Sequence, residues 1–279
     1  MDTFNGGNHT DQAKLDQLKQ GEYKVDAFGF LNQAWELFWK EPGNYIGYSA
    51  VLFVFFIIKQ TFLMFIILLS GKTTSHYDSP DINLMQGQGF LLFFVVTSLV
   101  MIPLYSGINI MAFRQMSAQK PEFSDFFHGY RYMASLIAAS FVQGLIMYFS
   151  IFFTAIASVI LIFGMGLARH SAPSSDYTGI YLVFIMPLLF IALYIGVVYV
   201  FSHSLIIDRR LGFWQAMETS RKVVKKQWFS VFGVMLVAGL FNMLGAFAIG
   251  VGLLITVPVS YLTLAVAYKE IFGLQSSGW

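Results

Sequence analysis

Three observations predict an all-α, polytopic membrane protein with six transmembrane helices. Of 279 residues, 57% are hydrophobic and only 11% are charged, whereas a soluble domain carries about 25% charged residues. Several apolar runs reach the ~20 residues a helix needs to cross the hydrocarbon core. The runs are continuous rather than alternating, which excludes a β-barrel. This composition also excludes an ordinary globular protein, a disordered chain and a coiled coil. A net charge of +2 provides no dense basic face for nucleic acid. With no cysteine, the chain has no disulfide framework, thiolate metal site or thiol nucleophile.

The first crossing is predicted at about 45–69 and the second at 89–112. The third, 133–167, is too long at about 52 Å of helix for ~30 Å of hydrocarbon. It is expected to tilt, project into water, or break at Gly144, Gly164 or Gly166. The fourth spans 181–203. The apolar stretch 229–268 is long enough for two crossings, 229–246 and 250–268, with a turn at Gly245, Gly250 and Gly252. A polar tail, 1–26, precedes a single domain, 27–272, and a short tail, 273–279, follows it.

Basic residues set the orientation. With six crossings, 14 of the 17 Lys and Arg residues fall on inner segments, Lys72 and Arg169 fall on outer loops, and Lys59 lies inside the first span. The expectation is a cytoplasmic (inner) membrane protein with both termini cytoplasmic. The polar residues 1–26 do not read as a cleavable signal peptide.

Each inner segment before an odd-numbered span carries an amphipathic stretch. In the first, Phe28, Leu31, Ala34, Trp35 and Phe38 share a face. In the second, Phe123, Phe126, Phe127 and Tyr130 follow α-helical spacing opposite Ser124, Asp125, His128 and Arg131. In the third, Phe213, Met217, Ser220 and Val224 oppose Glu218, Lys222, Lys225 and Lys226. The even spans also match: Pro103 precedes Arg114 by eleven residues, as Pro258 precedes Lys269, while Val198 stands where the fourth span would carry its proline. The unit of surface helix, crossing, crossing is thus used three times, as three hairpins. Gly43 with Gly47, and Ala248 with Gly252, are small enough for helices to approach closely.

The stretch from Leu205 through Asp208, Arg209, Trp214 and Glu218 to Lys222, the turn 245–252, Thr256 to Pro258, and Ala267–Tyr268 resemble a recurring pattern in bacterial six-helix membrane proteins. The stretch from Phe123 to Phe127 fits as well. These proteins include the DUF975 group and the membrane domain sometimes fused to glycerophosphodiester phosphodiesterases. The resemblance covers about residues 28–272. It implies a bacterial inner membrane and a setting near lipid metabolism, with no catalytic residues to carry over. Val198 departs from the pattern, because relatives often carry a proline there, before the Asp.

No constellation for chemistry emerges. The histidines, at 9, 76, 128, 170 and 203, lack the i, i+4 spacing of a metal helix. No span carries an aspartate pair. Ser106-Gly107 loosely resembles a nucleophile turn, but Leu104 occupies the position that needs glycine. No catalytic, cofactor or metal residue is assigned, and the protein is read as not an enzyme. The even spans do place polar groups in the inner half of the bilayer: Tyr105, Ser106 and Asn109; Ser202 and His203; Ser260 and Tyr261. Unsatisfied polar groups in hydrocarbon cost several kcal/mol. These residues therefore form either interhelical hydrogen bonds, the reading the sequence favours, or a polar pocket open to the cytoplasm. Lys59 is an embedded charge that either snorkels to the outer headgroups or meets an anion or lipid phosphate. Pro103, Pro187 and Pro258 are expected to kink the even spans.

The functional expectation is a non-enzymatic membrane protein without cofactors. It would act through membrane lipids, a protein partner or a second copy of itself, and not through nucleic acid. The alternative is a small transporter or channel built on the polar pocket.

Overall fold

The computed structural model describes residues 18, 20–21, 23–71, 80–169, 178–248 and 251–275, and most of these are helical with no strand among them. Helix α1 is Ala27–Lys40, α2 Pro42–Gly71 and α3 Pro80–Met116. A 3₁₀ helix, Phe123–Tyr132, leads into α4, Met133–Arg169. Then follow α5 Thr178–Val198, α6 Ser202–Arg209, α7 Phe213–Val224, α8 Trp228–Phe247 and α9 Leu253–Phe272. Six helices are long and apolar enough to cross a membrane, as a multi-pass membrane protein requires.

The expected elements recur with informative differences. Helix α4 runs unbroken through Gly144, Gly164 and Gly166 for 37 residues, about 55 Å at 1.5 Å per residue. An interior glycine only weakens a helix by ~1 kcal/mol, too little to end one in hydrocarbon, where every freed backbone group is costly. The prolines Pro103, Pro187 and Pro258 likewise stand inside helices that continue past them. The fourth span, expected as one helix, is broken. Helix α5 ends at Val198 and α6 begins at Ser202. No proline is involved, and two serines take up the released carbonyls: Ser220 donates to Val198 at 2.8 Å and Ser202 to Tyr199 at 2.7 Å. The turn between α8 and α9 falls between Phe247 and Leu253, with Gly250 outside the described residues. It is tight because Gly252 faces the Gly245 carbonyl at a distance no side chain would allow.

The buried core gathers at one end of the bundle. There α9 packs against α1, α2, α3 and α8 and buries Val259, Leu262, Val266, Tyr268 and Phe272. The second amphipathic stretch is a ten-residue 3₁₀ helix, not the α-helix its spacing predicted. Runs beyond 3–4 residues are uncommon in this form, and close docking accounts for this one. A Cβ at Gly107 would lie 1.9 Å from the Phe126 carbonyl oxygen, and one at Gly129 would lie 2.1 Å from that of Pro103. The two backbones touch through reciprocal glycines. Phe126 then stacks on Tyr48 with ring centroids 4.3 Å apart, and Arg114 forms an ion pair with the fully buried Asp125.

In α1 the buried face is Phe30, Ala34 and Phe38. This is rotated from the predicted face: Phe28 and Trp35, expected within it, are exposed. At the opposite end, residues 53–62 of α2 are exposed on every side of the helix. This half of α2 touches α3 through the Phe62 and Phe93 rings, with centroids 4.1 Å apart, and is otherwise exposed.

Candidate functional site

The candidate polar residues separate into two groups. The first lies between α3 and α9. Tyr105 and Tyr261 stack with centroids 6.3 Å apart. Ser106, buried, donates to the Ile102 carbonyl of its own helix at 3.0 Å. Ser260 donates to the Ala238 carbonyl of α8 at 3.0 Å and to Thr256 at 2.9 Å. Asn109 is half-buried on α3. Gly107, beside Ser106, serves the contact with the 3₁₀ helix rather than a nucleophile turn.

The second group joins α4 to α6, at the break in the fourth span. Ser202 accepts from Gln143 Nε2 at 2.8 Å, and His203 Nε2 shares a hydrogen bond with Ser140 Oγ at 3.0 Å. The Ser140–His203 distance suits a nucleophile and its base. Ser140, however, stands in the second turn of a continuous helix, whose N–H groups are bonded along the helix axis rather than aimed at a developing oxyanion. The arrangement is a polar seam between helices. Sequence reasoning missed Ser140 and Gln143, although their i, i+3 spacing on an apolar helix marks a polar stripe.

Among the described residues, the hydrogen bonds of the first group lie within α3 and α9 or between α8 and α9, and those of the second join α4 to α6. Lys59 is exposed on the bare half of α2, and its ammonium lies 5.9 Å from the Phe56 ring centroid.

Two buried aspartates hold helix ends at the buried end of the bundle: Asp125, expected on the polar face of the second amphipathic stretch, and Asp208 of the 205–222 stretch. Asp125 takes Arg114, accepts from the Glu122 N–H at 2.8 Å and lies 3.4 Å from His128 Nδ1. Asp208 accepts from the Tyr268 hydroxyl at 2.7 Å and from the Gln275 N–H at 3.1 Å, while Arg209 donates to the Phe272 carbonyl at 2.8 Å. These bonds tie α6 to the end of α9, as the Arg114–Asp125 pair ties α3 to the 3₁₀ helix. Among the described residues, no cluster of His, Asp or Glu is placed to hold a metal ion. Two open grooves are apolar: one between α1 and α8 is lined by Phe28, Leu31, Asn32, Trp35 and Phe241. The other, on α4, is lined by Phe152, Ala155, Ile156 and Ile160. None of the candidate polar residues lines either groove.

No protein-family model, curated protein or solved structure matches the chain.

Proposed function

We propose that the chain is a non-enzymatic protein of the cytoplasmic membrane that acts through contacts with lipids or a partner protein. It crosses as three hairpins with both termini inside, and α1, the 3₁₀ helix and α7 lie at the inner headgroups. One observation carries this reading. Ser106, Ser202, His203 and Ser260 all form hydrogen bonds within or between helices, which supports the reading of these groups as structural. The bonds between helices contribute about 0.6–2 kcal/mol each to helix association. The proposed setting among bacterial six-helix membrane proteins of the DUF975 type rests on the motifs from Leu205 to Lys222 and around the last turn.

A second reading, a small transporter, is favoured by the broken fourth span, because discontinuous helices with polar seams line substrate paths in transporters. Purified protein in liposomes separates the two. The expected outcome is no flux of ions, polar solutes or labelled lipid above empty vesicles. Flux that Gln143→Ala or Ser140→Ala abolishes, in variants that still fold, would replace the first reading by the second.

A further inference from the structure

Helix α1 leaves one face uncovered, and that face is aromatic. Phe28, Leu31, Asn32 and Trp35 form one wall of an open groove of about 320 Å3, and Phe241 of α8 forms the other. The Trp35 and Phe241 rings meet edge to face at 5.9 Å. The chain reaches α1 along the base of α8. Gln227 donates from Nε2 to the carbonyls of Gly21 and Tyr23, at 2.6 and 2.5 Å, and the Tyr23 hydroxyl donates to Val223 at 3.1 Å. The Lys226 side chain lies against Gly21, whose φ of +91° suits glycine alone.

This docking gathers Lys24, Lys225 and Lys226 at the base of α8, all exposed and without an ion-pair partner among the described residues. Among the described residues, the carboxylates of Asp26, Glu36 and Glu218 are engaged elsewhere. Asp26 caps α1 through the Gly29 N–H at 2.9 Å, Glu36 accepts from Asn32, and Glu218 holds Arg221 and Lys222. Phe241 lies 14 residues beyond Gln227, about 21 Å along the helix. One leaflet contributes about half of the ~30 Å hydrocarbon core. The exposed lysines at the base of α8 therefore stand about 21 Å along the docked pair of α1 and α8 from the Phe241 end of the groove, close to the ~20 Å that one leaflet with its headgroups occupies. A zwitterionic lipid would bring its own ammonium to these lysines, whereas an anionic one complements them.

We propose that the cleft between α1 and α8 seats one anionic phospholipid, its phosphate on Lys24, Lys225 and Lys226 and an acyl chain against Phe28, Leu31, Trp35 and Phe241. The site rests on the membrane reading given above and names the lipid class it uses. Asn32, already bonded to Glu36, is a wall and not a ligand.

The test is native mass spectrometry of the delipidated full chain in detergent, titrated with phosphatidylglycerol or phosphatidylcholine, with glycerol 3-phosphate as a soluble competitor. Phosphatidylglycerol is expected to be retained at least tenfold better than phosphatidylcholine. Lys24→Gln, Lys225→Gln and Lys226→Gln each weaken that retention on the order of fivefold. Leu31→Trp, which fills the groove, lowers binding of both lipids. Equal retention of the two lipids, unchanged binding in the triple lysine variant, or displacement by glycerol 3-phosphate at lipid concentrations would overturn the site, as would a protein helix found on this face instead. Detergent extraction and size-exclusion of the same samples report membrane residence separately, so loss of the lipid site leaves the first reading standing.

Discussion

At the scale of single residues, the most constrained positions are two glycines rather than any polar group. Gly107 and Gly129 each face a backbone carbonyl oxygen at about 2 Å from where a Cβ would sit. A backbone atom cannot swing aside as a side-chain tip can. Gly107→Ala and Gly129→Ala should therefore each destabilise at or above the upper end of ordinary overpacking, ~3 kcal/mol. Gly144→Ala, with nothing within 4 Å, should be neutral or slightly stabilising. Thermal unfolding in detergent checks all three; equal midpoints would contradict the docking of α3 on the 3₁₀ helix. The sequence pointed to Gly43 with Gly47 and Ala248 with Gly252: Gly252 does face the Gly245 backbone and a Cβ on Gly47 would lie 3.3 Å from Phe123, whereas Gly43 meets nothing within 4 Å. A small residue shows that close approach is allowed, not that a neighbour comes close.

At the scale of elements, the fourth span carries the clearest departure from expectation. Its break between Val198 and Ser202 has no local breaker. Hydrogen bonds from α7 sustain it, since Ser220, 22 residues further on, takes the Val198 carbonyl. Ser220→Ala leaves that buried acceptor unpaired and is expected to destabilise the protein by about 1–3 kcal/mol, with increased hydrogen exchange confined to α5 and α6. Uniform loss of protection across the molecule would contradict a local role. Helix α7 buries Met217, Ser220 and Val224. The burial of α1 was not legible. Its apolar residues cover more than half the helix circumference, and packing against α9 and α8 decides that Phe30 turns inward while Phe28 and Trp35 stay out. The uncovered face then becomes one wall of the lipid cleft.

At the scale of the whole molecule, helix lengths divide the bundle. Helices α8 and α9 have 20 residues each, about 30 Å and the thickness of the hydrocarbon. Helices α3 and α4 have 37 each and must tilt or stand proud of the bilayer. The buried core sits at the end where α1, the 3₁₀ helix, α6 and α7 collect, and the basic residues of α7 and Lys225–Lys226 lie at that same end. Basic segments remain cytoplasmic, so Gln215→Cys, at an exposed position of α7, is expected to react with a membrane-impermeant maleimide only in inverted vesicles. Labelling in intact cells would reverse the orientation and move the lipid cleft to the outer leaflet.

The amino-acid sequence by itself determined the number and approximate places of six helices long and apolar enough to cross a membrane, and the turn before the last one. Those follow from hydropathy summed over about 20 neighbours, a property no distant contact can change. Tertiary structure decided which glycines are indispensable, which polar groups pair, where the fourth span breaks and which face of α1 is left bare. Each of those depends on atoms brought from far along the chain, as when Gln143 meets Ser202 or Gln227 meets Gly21. In hydrocarbon a polar group must take whatever partner packing places beside it, and only the packed bundle supplies that partner.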